Sequence, residues 1–180
     1  IFALAGLAAL DAPAPLARVE GYLRSFGEGD GLDFVHLGAL ARCWAGVGLE
    51  KMPRGLDRAL LAHVETFRKP DGGYEGDARL THGTAYGAFV ALGAYEDLAK
   101  TPPNVLKLVQ ALKRLETPDN AWSNVPGARV GATNATAGAV TLVDAFTRRI
   151  LKIWRGFGYP HDVEVAGEYA YVTDEARGRL

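Results

Sequence analysis

Apolar positions between residues 56 and 67 recur at helical spacing. Leu56, Leu60, Leu61, Val64 and Phe67 form one stripe, with Arg58, His63, Glu65 and Arg68 between or beside them. This pattern predicts an amphipathic helix with one wet face. Val105, Leu108, Val109, Leu112 and Leu115 repeat the figure, with Lys107, Gln110, Lys113 and Arg114 outside it. An earlier copy runs Leu16, Val19, Leu23, Phe26. A run of another kind follows each full copy. No charged residue occurs from Gly83 to Tyr95 or from Val130 to Val143. Runs of this length without β-branched enrichment predict helices, and a helix apolar all round is expected to be buried all round.

Between the two kinds of run lie Lys69-Pro70-Asp71-Gly72-Gly73-Tyr74 and Thr117-Pro118-Asp119-Asn120-Ala121-Trp122. Gly27-Glu28-Gly29-Asp30-Gly31 is a degenerate version. Pro, Asp, Asn and Gly in such clusters predict tight turns, with the Asp holding the turn through its own backbone. The second copy replaces both glycines, so the stretch reads as a helix-to-helix corner rather than a phosphate cradle. The unit is thus an outer amphipathic helix, a turn, and an inner small-residue helix. Asp71 and Asp119 are 48 residues apart; the marker glycines Gly38, Gly87 and Gly138 are spaced 49 and 51. Pro53 is expected in the first turn of one outer helix, and Asn104 as N-cap of the next. The opening run Ile1 to Leu10 is too short to span a bilayer. It reads as a buried helix of the first repeat, and its abrupt start suggests part of something longer.

Past Phe146 the pattern changes. Asp162-Val163-Glu164-Val165 and Tyr169-Ala170-Tyr171-Val172-Thr173 alternate and are rich in β-branched and aromatic residues, which predicts short strands. The expected organisation is α/α hairpins over 1–147 and a small β-rich tail, or the start of a second domain, over 148–180.

Composition narrows the function classes. The 180 residues are 48% hydrophobic and 23% charged, as in an ordinary globular domain. The net charge of −1 supplies no basic excess for a phosphate backbone, so nucleic acid is not an expected partner. Cys43 is the only cysteine, which excludes an intramolecular disulfide and fits a reducing, cytoplasmic setting. No Gly-rich phosphate loop, Ser-His-Asp signature or Cys-x-x-Cys is present. Tyr74 and Trp122 occupy equivalent places after the turn and are expected to pin outer helix to inner helix, or to stack on a ligand. His36 and Cys43, seven apart, read as core residues before they read as a ligand pair. Tyr95-Glu96-Asp97 reads as a solvated helix end.

Residues 54–95 resemble the repeats of protein prenyltransferase β subunits and squalene or terpene cyclases. The match is carried by Asp71-Gly72-Gly73-Tyr74, Gly76 and His82-x-x-Ala85-Tyr86-x-Ala88-x-x-Ala91-Leu92. Residues 104–143 carry a second copy, in which Glu116-x-x-Asp119-Asn120-Ala121-Trp122 is similar to the Gln-x-x-x-Gly-x-Trp repeat of the cyclases. The resemblance implies an α/α toroid, here a partial one or a short open solenoid, whose inner helices line an apolar cavity for an isoprenoid. It makes His82 the catalytic candidate, with Tyr86, Phe89 and Trp122 as ligand-binding candidates. It implies zinc or magnesium as cofactor; His82, Asp77 and Cys43 are the metal candidates, but the family's Asp-x-Cys spacing is missing and the ligand set is incomplete. It also implies further repeats or a partner chain completing the ring. The alternative expectation is a non-catalytic helical-repeat scaffold or protein-interaction module. The tail resembles one blade of a YVTN-type β-propeller, with Pro160-His161-Asp162-Val163 and Tyr169 to Asp174 as blade strands.

Overall fold

The computed structural model describes residues 2–147, 160–166 and 169–174. The protein is mostly helical. The helices are α1 (Phe2–Ala9), α2 (Leu16–Arg24), α3 (Phe34–Val47), α4 (Leu56–Glu65), α5 (Ala85–Asp97), α6 (Val105–Lys113) and α7 (Thr133–Thr147). Helix α5 packs against α3 on one side and α7 on the other, so these three lie side by side. The amphipathic helices α2, α4 and α6 pack on this layer. Their stripes supply Leu23, Leu60, Val64, Leu108 and Leu112 to a core shared with Leu37, Trp44, Ala88 and Ala91. Each fully buried leucine contributes about 1.5–3 kcal/mol, and the small residues let the layer close up. A side chain at Gly38 would meet Val90 of α5, and one at Gly138 would meet Ala85 and Phe89.

The two long turns are built alike. In the first, Lys69 N–H donates to Gly73 O, Gly72 N–H to Lys69 O, Glu75 N–H to Phe67 O and Thr84 N–H to Tyr74 O. The second has Thr117 N–H to Ala121 O, Asn120 N–H to Thr117 O, Ser123 N–H to Leu115 O and Ala132 N–H to Trp122 O, each 48 residues on. This is a three-residue hairpin whose last corner needs a left-handed residue. Gly72 (φ 92°) supplies it in one turn and Asn120 (φ 59°) in the other, which is why the glycine is replaceable there. The Asp71 carboxylate accepts from Gly73 N–H (3.0 Å), as expected, and also from Gly83 N–H (3.1 Å) across the loop. Asp119 accepts from Gly131 N–H (3.1 Å) in the same way. Replacing Asp71 with alanine strands these two amides, and the unfolding free energy read by urea titration is expected to fall by about 2 kcal/mol. Asp119→Ala should cost less, because Asp119 is exposed where Asp71 is half-buried. Equal losses would show that the carboxylates do not act through these amides.

Several expectations are corrected. The 48-residue register pairs Gly87 with Ala135, so Gly138 is not the counterpart of Gly87; it is a separate helix-contact glycine. Pro53 precedes α4 rather than entering it, because Leu56 N–H closes a turn on Pro53 O. Asn104 stands at the N-cap of α6 in left-handed backbone, but its side chain makes no capping bond. Helix α1 forms, yet Ala3, Ala5, Gly6 and Ala9 are exposed and Leu10 is 79% exposed. It packs on α3, with Leu4 partly buried against the core. Nor are the uncharged helices buried all round. On α5, Ala85, Gly87, Ala88, Ala91, Ala94 and Tyr95 are buried while Tyr86 and Phe89 are exposed.

The only two strands among the described residues are β1 (Pro160–Ala166) and β2 (Tyr169–Asp174), paired antiparallel with Val163 opposite Val172. The expected boundary at 147/148 and the segment Arg148 to Trp154 lie outside the described residues. Among the described residues no helix is long and apolar enough to cross a membrane.

Candidate functional site

Helices α3, α5 and α7 each leave one stripe uncovered, on the side away from the outer helices. On α3 the stripe holds Val35, Ala39 and Arg42; on α5, Tyr86, Phe89 and Gly93; on α7, Ala137 and Val140. Val35 is 46% exposed, Tyr86 47%, Phe89 38% and Val140 51%. Leu10, Tyr22, Leu106, Val125 and Val130 are exposed elsewhere on the molecule; Val35, Tyr86, Phe89 and Val140 differ in lying on three helices packed side by side. A contiguous exposed apolar face of this kind marks a binding surface. Its polar end is a cross-helix ion pair. Arg42 Nε donates to Asp97 Oδ2 at 2.7 Å, and Gly93 leaves room for the guanidinium, whose nearest nitrogen lies 3.4 Å from where a Cβ would stand. Asp97 is therefore not the solvated terminus expected of Tyr95-Glu96-Asp97.

His82 lies just ahead of α5, whose N-cap is Thr84; the Thr84 hydroxyl accepts from Gly87 N–H at 2.9 Å and donates to Glu75 at 2.7 Å. The His82 ring is half-buried and makes no hydrogen bond or ion pair among the described residues. The turn beside it is tied by Asp71, which accepts from Gly73 and Gly83 N–H. Tyr86 N–H is met by Asn124 Oδ1 at 3.3 Å, which fixes the loop after the second turn against the start of α5.

The other candidates have different occupations. Asp77 is gripped by Arg79, with Nη2 at 2.7 Å, and that guanidinium holds its carboxyl well down, at about 2. Cys43 is buried in the core. Among the described residues no group of three or more His, Cys, Asp or Glu side chains could hold a metal ion, so His82, Asp77 and Cys43 do not form one. His36 is not a core residue: it is exposed, and its Nδ1 lies 2.8 Å from Asp33 Oδ2 at the start of α3. Trp122 is partly buried against the core, with its Nε1 buried and without a hydrogen-bond partner among the described residues.

A second polar cluster, unexpected from sequence, lies behind the layer. Glu65 Oε1, at the end of α4, accepts from Tyr74 Oη (2.6 Å) and Tyr95 Oη (2.8 Å). Glu65 Oε2 accepts from Arg68 Nε (2.8 Å). Arg68 also donates to Gly72 O and Pro103 O, both at 2.9 Å, and to Tyr74 Oη; its guanidinium lies 4.4 Å from the Tyr74 ring. Burial pushes the Tyr74 and Tyr95 phenols well above the ordinary tyrosine value, with Glu65 adding to both. This network ties the turn to α4, α5 and the loop before α6. A cleft of about 440 Å³ beside it is lined by Arg58, Leu61, Glu65, Tyr95, Lys100 and Pro103. That cleft opens on the outer-helix side, away from Tyr86 and Phe89.

No protein-family model, curated protein or solved structure matches the chain.

Proposed function

We propose that the chain is an arc of α/α hairpins, of the kind found in prenyltransferases and terpene cyclases, with a strand-bearing tail. On this reading it binds an isoprenoid or a similar apolar molecule along the open face of α3, α5 and α7. The observation that carries the reading is the exposure of Tyr86 and Phe89 on a helix with no charge from its cap to Tyr95. Apolar side chains exposed together on adjoining helices, rather than singly, mark a surface that a ligand or partner covers. The recurrence of the turn bonds at 48 residues supports the repeat reading. In this proposal His82, half-buried and unpaired at the mouth of the face, is the side chain nearest any chemistry. Completion of the ring by further repeats or a partner chain belongs to the same proposal.

The test is a titration of the full chain with farnesol, followed by intrinsic fluorescence. Saturable binding is expected. The Tyr86→Asp/Phe89→Asp variant should lose at least tenfold in affinity while keeping its melting temperature, because both side chains are exposed and their removal opens no cavity. Binding that is unchanged in this variant, or no saturable binding by the parent chain, rejects the proposal. Saturable binding of an amphipathic peptide to the same face, without farnesol binding, would favour the scaffold alternative.

A further inference from the structure

We draw no further inference here: the strongest candidate, the exposed apolar helix α1 at the edge of the inner-helix layer, carries nothing because nothing in the structure shows what covers it.

Discussion

Gly87→Ala is expected to destabilise the protein by about 3 kcal/mol, although alanine is the better helix former. A Cβ at position 87 would run into the Tyr74 carbonyl oxygen. That oxygen cannot simply withdraw, because it accepts from Thr84 N–H at 3.0 Å, the bond that docks the turn onto the start of α5. Thr84 Oγ1 also stands 3.1 Å from the same Cβ position and is occupied by Gly87 N–H. The gain from helix propensity is at most about 1 kcal/mol. Overpacking against backbone costs about 1–3 kcal/mol, and a strained or broken docking bond adds about 1. The loss therefore wins. In a chain of this size, 3 kcal/mol corresponds to a melting temperature lower by about 6–12 °C. Differential scanning calorimetry reads it directly. A Gly87→Ala variant as stable as the parent would show that the turn is free to move off α5.

Glu65→Ala removes the common acceptor of three donors, and a loss of about 3 kcal/mol is expected. Tyr74 is fully buried and Tyr95 nearly so, so neither hydroxyl can turn to bulk water. Arg68 keeps Gly72 O and Pro103 O but loses its counter-ion. Glu65→Gln should recover part of the loss, since one amide oxygen still accepts while the charge is gone. The Tyr74→Phe/Glu65→Ala double variant should cost less than the sum of the singles, because it removes a stranded donor. Strict additivity in urea unfolding would show that the two groups are not coupled.

The same carboxylate gives a pH dependence of known sign. Burial pushes the Glu65 carboxyl up, but hydrogen bonds from Arg68, Tyr74 and Tyr95 outweigh it and hold the group below the ordinary glutamate value of 4.5. A depressed folded-state pKa means the stabilisation is fully present above the unfolded value. It is lost as pH falls through the lower folded value. The parent chain should therefore lose this contribution below pH 4.5, and Glu65→Gln should not.

The helical character of the chain, with amphipathic α2, α4 and α6 and the uncharged runs of α5 and α7, was legible from the sequence pattern. Stripes such as Leu56-Leu60-Leu61-Val64 name their own buried face, because the charges between them cannot be buried. The turn was legible because Asp71 and Asp119 use local backbone, and Gly72 or Asn120 is what left-handed backbone tolerates. The orientation of α5 was not. A run with no charged residue over thirteen positions gives no directional signal, so nothing in residues 83–95 says that Tyr86 and Phe89 look outward while Ala88 and Tyr95 look in. The Glu65 cluster was hidden for another reason. Glu65 reads as an ordinary charge on a wet face, and its partners Tyr74 and Tyr95 lie nine and thirty residues away.

The sequence by itself determined the helices, their inner and outer characters and the recurring hairpin corner, since these rest on contacts within a few residues. Which side of each inner helix meets water, and which distant residues share a bond, was decided only in the tertiary structure. Arg42 reaches Asp97 across 55 residues because α3 and α5 lie side by side. Trp44 and Tyr95, each eleven residues after an N-cap, show the same dependence: one packs beneath Arg24 and the other donates to Glu65. In both cases the partner belongs to the neighbouring outer helix, so only packing between elements fixes it.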